Sequence, residues 1–398
     1  MRNSSWSSHI FQEELTMNIL IAADSFKGSC SAREVTDTIE RAANTVLPNV
    51  TVTKIPVADG GEGTVDALVA AMNGTKVCVP VHDPLGRPIT AEYGLLPDGS
   101  AVLETAAASG LTLLKPDERD ALHASTFGTG RTDPHALEHG VKKIILGLGG
   151  SATTDGGAGL AQALGISFLD KAGKELAPGG VHLSELARIS TDALLKEAAE
   201  CEFVIACDVK NRLCGSNGAA AIFGPQKGAT PEQVRILDAA LSHYASILND
   251  QLTCNAAETD GSGAAGGLLC GILPYFPVTI CSGIDLVLDL TDFDEHVKHA
   301  DLIITGEGRI DYQSALGKVP VGVASRAKKI RNVPVVAIAG AKGDGCETLY
   351  KFGIDAIFDT VPGIMSLEAA MEHAKENLEQ TAENVLRLFF AGQENRLR

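Results

Sequence analysis

The chain has 398 residues, a length that indicates two domains or three. Hydrophobic residues make up 45% of it and aromatic residues only 5%, so Val, Ile, Leu and Ala must build the cores, as in proteins made of βα units. The formal net charge of −17 argues against nucleic acid and anionic membrane surfaces as partners. A site for an anionic substrate would therefore need local cations, metal ions or helix N-termini.

The nine cysteines are scattered and form no C-x-x-C pair, so neither a disulfide framework nor a cysteine metal site is supported. Free thiols in a reducing cytoplasm fit them better, and no apolar run is long enough to span a bilayer. Residues 1–16 lack the pattern of a signal peptide and precede the first apolar strand, which opens at Met17. We interpret them as a disordered extension, an expression remnant or a mis-assigned start, and expect them to be dispensable.

Two strand–helix units open the remaining chain. NILIAAD at 18–24 predicts a buried strand, and Ser31 with Glu34 forms a capping box at the start of the next helix. VTVTKIPVA at 50–58 predicts a second strand, which leads through DGGEG into a helix near 62–72. The first two units are thus typical of a parallel α/β sheet.

The middle of the chain has a different pattern. KVCVPV, PITAEYGLL and SAVLE, between about 76 and 104, predict antiparallel strands separated by the turn sequences DPLGRP and PDGS. Strands near 143–147 and 202–206 follow, each leading into a glycine-rich loop and a helical segment.

Near residue 300 the βα pattern returns. DLIITG at 301–306, PVVAIAG at 334–340 and DAIFD at 355–359 predict three strands, and Ser366 should cap a last helix that runs to about 390. Two front strands and three back strands together match a flavodoxin-like sheet. We therefore predict an α/β fold in which a discontinuous Rossmann- or flavodoxin-like parallel-sheet domain, residues 17–74 and 286–398, is interrupted by an inserted mixed α/β domain, residues 75–285.

Ligands of such sheets bind beyond the carboxyl ends of the strands, at the topological switch point. In a flavodoxin-like order this rule brings the loop that begins at Asp24 beside the loop at 305–309. Asp24 is a candidate metal ligand there. Lys27 is a candidate catalytic residue that would neutralise a phosphate, although a solvated lysine is the default. Three further residues are candidates for contacting phosphates: Ser25, Gly28 and Ser29.

TGEGRIDYQS at 305–314 places three charged residues at alternate positions: Glu307, Arg309 and Asp311. Charges this dense at a strand end are rarely structural, and an arginine fork suits a carboxylate or a phosphate. We assign Glu307 to metal binding and Arg309 to substrate binding and catalysis. Asp311 is a candidate catalytic group, and Lys318 a candidate for binding substrate.

LGLGGSATTDGGAG at 146–159 joins a predicted strand to a helix and predicts a phosphate loop, because backbone N–H groups and hydroxyls at a helix N-terminus favour phosphate. A tight turn that needs positive φ is the alternative. The loop matches neither the Walker A pattern nor strict G-x-G-x-x-G. Its candidate phosphate ligands are Gly149, Gly150, Ser151, Thr153 and Gly156, and Asp155 is a candidate metal ligand.

Two further loops carry carboxylates. ADGGEGT at 58–64 supplies Asp59 and Glu62, and a polar loop explains these equally well. Asp208 follows the strand at 202–206 and could deprotonate a hydroxyl, hold Mg²⁺ or form an Asx-turn. We assign it as the base and Asn211 as a substrate ligand. Glycine-rich loops with many acidic residues point to phosphoryl transfer through Mg²⁺.

The chain resembles the type-1 glycerate kinase family of bacteria from Met17 to about residue 390. The resemblance is carried by DSFKGS (24–29), PVADGGEGT (56–64), DPLGRP (83–88), AAASGL (106–111), LGGSATTDGGAG (148–159), ACDV (206–209), FGPQKGAT (223–230), GAAGG (263–267) and ITGEGRID (304–311). It implies ATP- and Mg²⁺-dependent phosphorylation of D-glycerate to 2- or 3-phosphoglycerate. It also implies an active site between two domains, and leaves a homodimer open.

Two segments depart from the family. After Gly130, where the family continues ELI into a long helix, this chain has RTDP at 131–134, and Pro134 should start a shortened helix. After ACDV the family has Thr-Asn-Pro, whereas this chain places Lys210 and Arg212 beside Asn211. These added charges should change affinity or selectivity rather than the reaction class.

Other functions fit the same loops. A kinase or phosphatase for another small hydroxy acid or sugar acid would use similar chemistry. A nucleotide-dependent dehydrogenase could use the same sheet, although no strict G-x-G-x-x-G follows the first strand. A non-catalytic binding protein fits the many charged loops least well.

Overall fold

The computed structural model describes residues 17–47 and 49–397. The extension at 1–16 lies outside the described residues, so its dispensability stays a prediction. Within the described chain, no helix combines the length and the apolar character needed to cross a bilayer. All nine cysteines fall in the described part and are free thiols.

The described residues form strands and helices in mixed order. The strands are β1 (Met17–Ala23), β2 (Val50–Pro56), β3 (Thr75–His82), β4 (Pro88–Leu95), β5 (Ala101–Glu104), β6 (Lys143–Gly147), β7 (Ser167–Leu169), β8 (Arg188–Ser190), β9 (Glu202–Ala206), β10 (Val278–Cys281), β11 (Leu302–Ile310), β12 (Val335–Lys342) and β13 (Ala356–Asp359). The helices are α1 (Ala32–Val46), α2 (Thr64–Ala71), α3 (Thr105–Ser109), α4 (Phe127–Glu138), α5 (Ala158–Ala163), α6 (Lys196–Ala199), α7 (Ala219–Phe223), α8 (Pro231–Leu252), α9 (Gly283–Leu290), α10 (Phe293–His299), α11 (Val319–Ile330), α12 (Leu367–Glu372) and α13 (Ala374–Leu397).

Strands from both ends of the chain form one parallel sheet of five strands, in the order β13-β12-β11-β1-β2. β1 lies between β2 and β11, with Ile19 opposite both Val52 and Leu302. This is the flavodoxin-like order, because the first strand is flanked by the second and the third of the sheet. The predicted pairing of front and back strands is confirmed.

The middle of the chain forms a mixed sheet of six strands, in the order β10-β9-β6-β5-β4-β3. The first four strands are parallel, whereas β3, β4 and β5 form an antiparallel meander. The turns DPLGRP and PDGS connect the meander as predicted. β7 and β8 form a separate two-stranded antiparallel sheet.

Alternating residues of the strands point into different cores. In β1, Ile19 and Ile21 belong to an outer core with α1 and α13, whereas Leu20 belongs to a middle core. In β6, Ile145 reaches the middle core and Ile144 a core on the far side. The middle core is shared by the two sheets and by α2, α9, α10 and α11. The two sheets therefore enclose a common layer of helices.

The predicted division at 285/286 falls inside α9, which packs in the shared middle core through Ile284 and Val287. The exact limits of the two units therefore stay a prediction.

Two helix predictions are wrong. Ser366 accepts a hydrogen bond from Ala369 N at 3.2 Å, but the helix it caps ends at Glu372, and α13 begins at Ala374. Pro134 does not start a helix, since α4 begins at Phe127 and contains the proline. Pro134 lacks the N–H that would donate to the carbonyl of residue 130, so α4 loses one hydrogen bond in its interior.

Candidate active site

The loops after β1 and β11 lie side by side, as the switch-point rule predicts. Asp24 follows β1, and its N–H donates to the carbonyl of Gly306 at 2.9 Å. A Cβ on Gly308 would lie 3.1 Å from the backbone N of Lys27, so glycine allows the two loops to approach. The carboxyl edge of the parallel sheet therefore carries both predicted loops.

This edge forms one wall of a large cleft of about 1270 Å³. Its opposite wall comes from the six-stranded sheet and includes Glu104 at the end of β5 and Gly150 after β6. We call this space the large cleft. Of the sequence candidates, it is lined by Asp24, Ser25, Lys27, Gly28, Ser29, Gly150, Glu307, Arg309 and Lys318.

Three carboxyl groups in the two walls of the large cleft have raised pKa values. Burial, with the charges of Asp59 and Glu307 adding to it, raises the pKa of Asp24 to about 7. Glu307 is 6% exposed, and burial also raises its pKa. At the end of β5, burial raises the pKa of Glu104 to about 7, while one of its oxygens accepts a hydrogen bond from Val65 N at 2.7 Å, near the start of α2. The charge of Glu307 is one of the causes of the raised pKa of Asp24, so these two carboxyls repel each other, and a bound cation would relieve that repulsion.

The basic side chains of the cleft are paired with acids. Lys318 Nζ lies 3.3 Å from Glu307, whose other oxygen accepts from Ser314 Oγ. Arg309 Nε lies 3.2 Å from Asp311, and 68% of the arginine side chain is exposed. Most of the guanidinium fork thus stays open to a ligand.

At the mouth, the exposed Lys27 lies 3.7 Å from Glu62. Loop 25–31 is held by its own hydrogen bonds, because Ser25 N donates to Asp24 and Ser29 Oγ donates to the carbonyl of Phe26 at 2.9 Å. Gly28 has φ 82°, which favours glycine. Ser29 therefore uses its hydroxyl hydrogen within the loop, whereas Lys27 is held only by an exposed ion pair with Glu62.

One side of the large cleft is apolar. Met365, Leu367 and Met371 line it and are exposed. Met371 reaches over the loop after β1, since a Cβ on Gly28 would lie 2.7 Å from Met371 Cε. The cleft thus has an apolar end and a charged end.

A second, smaller cavity of about 260 Å³ adjoins the first. We call it the small cavity. Asp59, Gly61 and Gly150 line both spaces, so they form the junction between them. Its other walls include Gly149, Ser151, Asp208 and Lys227.

The glycine-rich loop at 146–159 divides into two parts. In the first part, a Cβ on Gly147 would lie 2.6 Å from the carbonyl oxygen of Gly60, and one on Gly149 would overlap Gly61. Gly150 has φ 75° and faces both cavities. Close packing of two glycine turns thus explains Gly149, whereas Gly150 and Ser151 are placed to meet a ligand.

The second part of the loop is buried away from both cavities. Asp155 is 1% exposed and accepts hydrogen bonds from Thr126, Ser125, Gly157 and Gly159. A Cβ on Gly156 would lie 2.9 Å from the Tyr244 ring. Thr153 is fully buried. These three residues line neither cavity, so the structure does not support Asp155 as a metal ligand or Thr153 and Gly156 as phosphate ligands.

The remaining candidates are dispersed. Asp208 lines the small cavity and accepts a hydrogen bond from Gly283 N at 3.1 Å at the start of α9, while burial raises its pKa. Asn211 lines neither cavity and donates to the carbonyl of Asn217 at 2.8 Å. Asp311 also lines neither cavity, and its carboxylate forms an ion pair with Arg309. Asp208 is therefore the sequence candidate for a base that the structure places in a cavity wall.

Sequence reasoning missed three groups. Asp59 was weighed as a carboxylate but not assigned, although its place in a strand-end loop was a usable signal. Glu104 lies at the end of a predicted strand, and this position was likewise a usable signal. Lys227 lies in the family segment FGPQKGAT, which was the usable signal, but it was not assigned because a single lysine in a glycine turn is normally solvated. None of the described residues form a group of three or more His, Cys, Asp or Glu arranged to hold a metal ion.

Comparisons with known proteins agree with one another. The model of the glycerate kinase family matches residues 19–390. A glycerate kinase of Bacillus subtilis (strain 168) is 48% identical over 370 residues, covering 93% of this chain and 97% of the relative. The glycerate 2-kinase of Escherichia coli (strain K12) is 42% identical over 380 residues, covering 95% and 100%. A crystal structure from Salmonella typhimurium LT2, provisionally assigned as a glycerate kinase 2, has a TM-score of 0.86 at 45% identity and covers 96% of this chain and 100% of that one. The chain therefore belongs to the glycerate kinase family.

Proposed function

We propose that this protein transfers the terminal phosphoryl group of ATP to a hydroxyl of D-glycerate. The observation that carries the proposal is a pair of cavities of very different size, about 1270 and 260 Å³, that meet at a shared wall in a chain of this family. A transferase needs two ligands whose reacting ends meet, and the shared wall supplies such a meeting point.

The large cleft suits the nucleotide. Its apolar side, with Met365, Leu367 and Met371, can receive a base, since ligand pockets bury apolar surface. Its charged end offers Arg309 and Lys318 to phosphates. In this arrangement the triphosphate extends toward the junction, and Lys27 can close on it from the mouth.

The donor set also suits Mg²⁺, which kinase sites bind through one or two carboxylates together with substrate phosphates and water. Asp24 and Glu307 would hold the ion, and Asp59 at the junction is a third candidate. Bound there, Mg²⁺ would neutralise charge on the phosphates. The proposal therefore retains Asp24 and Glu307 from the predicted metal ligands and adds Asp59.

The small cavity suits the three-carbon acid. Asp208 in its wall can orient the hydroxyl and accept its proton late in a loose transition state. Burial raises the pKa of Asp208, which makes the carboxylate a stronger base than an exposed aspartate. Asp311 holds Arg309 through their ion pair, so its role is positioning rather than proton transfer.

Phosphorus NMR of the product formed from ATP, Mg²⁺ and D-glycerate tests the proposal. We expect a new phosphate monoester and stoichiometric ADP. The Escherichia coli relative is named a glycerate 2-kinase, which favours the 2-hydroxyl, and the phosphorus–proton couplings distinguish 2- from 3-phosphoglycerate. A panel of other hydroxy acids and sugar acids should react more slowly. No ester from glycerate, or a faster reaction with another acid, would contradict the proposal.

A further inference from the structure

Lys227 is a buried lysine in the wall of the small cavity. It ends the turn Pro225–Lys227 after α7, and only 2% of the residue is exposed. The next residue, Gly228, has φ 93° and allows the chain to turn back. Lysine is almost never buried to this extent unless it is paired with an opposite charge.

The contacts of Lys227 are neutral. Its Nζ donates to Ser151 Oγ at 3.0 Å and to the carbonyl of Thr153. Among the described residues, no carboxylate lies within ion-pair distance of this Nζ. Lys54, by contrast, lies 2.7 Å from Asp37 and also contacts Glu40. Since an ammonium has three donors, one N–H of Lys227 has no acceptor among the described residues.

A buried ammonium without a counter-ion is unfavourable by several kcal/mol in general. Burial lowers the pKa of Lys227 to about 7, and the charge of Asp155 only partly opposes that effect. If the residue served only to hold the loop, a neutral amide donor could do so without this cost. An unpaired cation lining a cavity is instead arranged for an anion that arrives from outside.

We infer that Lys227 provides the positive charge of an oxyanion subsite in the small cavity, together with Ser151 and the backbone of Gly150. The oxyanion is either the carboxylate of the acid or a phosphate of the nucleotide. This inference rests on the proposed function and adds the cation that recognises the ligand. No other lysine or arginine lines the small cavity among the described residues.

The proposed subsite explains how an acidic protein could bind an anionic ligand. A chain with a net charge of −17 repels anionic ligands at long range, and Asp59 and Asp208 line the same cavity. A desolvated ammonium binds an oxyanion more strongly than an exposed one, because little water screens the pair. One buried lysine can therefore retain an anion in an acidic neighbourhood.

Two substitutions of Lys227 distinguish a role of its charge in binding a ligand from a structural role of its hydrogen bonds. Lys227→Met removes the charge and all donors, whereas Lys227→Gln removes the charge but keeps an N–H donor toward Ser151 or Thr153. Lys298→Met, on the exposed face of α10, is the control for the change in net charge. The affinities for D-glycerate alone and for ATP alone, with Mg²⁺, are measured by titration calorimetry on the full chain.

We expect both Lys227 variants to lose about 10-fold or more in affinity for one of the two ligands, and Lys298→Met to lose none. Loss for glycerate identifies the carboxylate as the oxyanion, and loss for ATP identifies a phosphate. If Lys227→Gln binds both ligands normally while Lys227→Met does not, the residue is a scaffold and the inference fails. Normal binding by both variants also overturns it.

Melting curves show whether each variant folds. If Lys227→Met does not fold, Lys227→Gln alone decides, because a charge role still requires it to lose affinity. Ligand binding by the variants tests only the subsite. The proposed function is tested separately, by the reaction of the unaltered chain. An unaltered chain that makes phosphoglycerate, with variants that bind normally, would leave the function standing and remove only the subsite.

Discussion

The two cavities share Asp59, Gly61 and Gly150, but their basic side chains differ in exposure and in the groups that they contact. In the large cleft, Lys318 is paired with an acid and Arg309 is mostly exposed. In the small cavity, Lys227 is buried and contacts neutral groups. A charged ligand of the large cleft would therefore replace ion pairs that the protein already makes. In the small cavity, Lys227 has no ion pair that a ligand would have to replace. From this contrast we expect a ligand that displaces ion pairs in the large cleft and an oxyanion that meets an unpaired cation in the small cavity.

The strongest test of the small cavity is Asp208→Asn. Asparagine keeps the shape and can still accept from Gly283 N, but it cannot take a proton. We expect kcat to fall roughly 10²–10⁴-fold with little change in KM for glycerate. Asp238→Asn is the matched control, because Asp238 accepts from Gly215 N at 2.9 Å outside both cavities.

Excess Mg²⁺ separates two roles in that experiment. Recovery of the Asp208→Asn variant at high Mg²⁺ would make Asp208 a metal ligand. Activity close to that of the unaltered chain would place the base elsewhere, and Asp59 at the junction would be tested next, before Asp311.

Gly150→Val tests the junction. The side chain would enter the space shared by the two cavities, where a Cβ already lies 3.1 Å from Ala106 Cβ, so the KM for ATP should rise by about 10-fold or more. Gly140→Val is the control, since Gly140 has φ 80° and no atom within 4 Å of its added Cβ. Equal effects of the two variants would reduce the role of Gly150 to backbone geometry.

Arg309→Lys tests the large cleft. The substitution keeps the charge and removes the planar fork, so kcat/KM should fall by about 10-fold. Arg326→Lys is the control, because Arg326 pairs with Asp289 and Asp294 away from both cavities. A variant as active as the unaltered chain would show that Arg309 serves only its partner Asp311.

Asp24 in the large cleft and Lys227 in the small cavity carry opposite charges and should therefore give opposite pH slopes of stability. Asp24 has its pKa raised from 3.8 to about 7, so the folded state keeps a proton that the unfolded chain loses, and stability decreases as pH rises between those values. Lys227 has its pKa lowered from 10.5 to about 7, so stability increases with pH between those values.

Urea unfolding from pH 5 to pH 9 measures both slopes. Asp24→Asn should be more stable than the unaltered chain by about 1–3 kcal/mol at pH 8 and should approach it at acid pH. Lys227→Met should show its full advantage from pH 5 to about pH 7, and the advantage should shrink as the pH rises toward 9. Parallel curves for all three chains would mean that neither group is perturbed.

Asp133→Leu should have the smallest effect on activity. Asp133 is fully buried in α4, its two oxygens have no hydrogen-bond partner among the described residues, and burial raises its pKa well above the usual range. Leucine should stabilise the protein by about 1–3 kcal/mol without changing kcat or KM. A change in KM would connect α4 to the cavities and weaken the contrast between them.

Much of the fold could be predicted because local signals agree with the global arrangement. Short apolar runs marked the strands, and Ser31 with Glu34 marked the first helix. The switch-point rule placed Asp24 beside Gly306 from strand order alone. These features depend on residues close in sequence or on general topology.

The rest depended on contacts between distant residues. Lys227 and Ser151 are 76 positions apart, and only their contact shows that the lysine is buried. α4 forms despite Gly128, Gly130 and Pro134, because the glycines permit close approach: a Cβ on Gly130 would lie 2.6 Å from Leu160 Cα. Tertiary packing overrides helix propensity there. A single sequence does not distinguish a glycine needed for packing, such as Gly149, from one that meets a ligand.

The central place of β1 in the parallel sheet also constrains the synthesis of the chain. Ile19 of β1 pairs with Leu302 of β11, and Asn18 N donates to the Asp301 side chain across 283 positions, so one edge of β1 has no partner until β11 leaves the ribosome. At about 5–20 residues per second, this delay is roughly 15–60 s. The middle sheet can assemble in the meantime, because its strands lie closer together in sequence. The nascent chain must therefore carry an open strand edge through most of its translation, and ribosome-bound chains shorter than about 300 residues should be the form of this protein that most needs a chaperone.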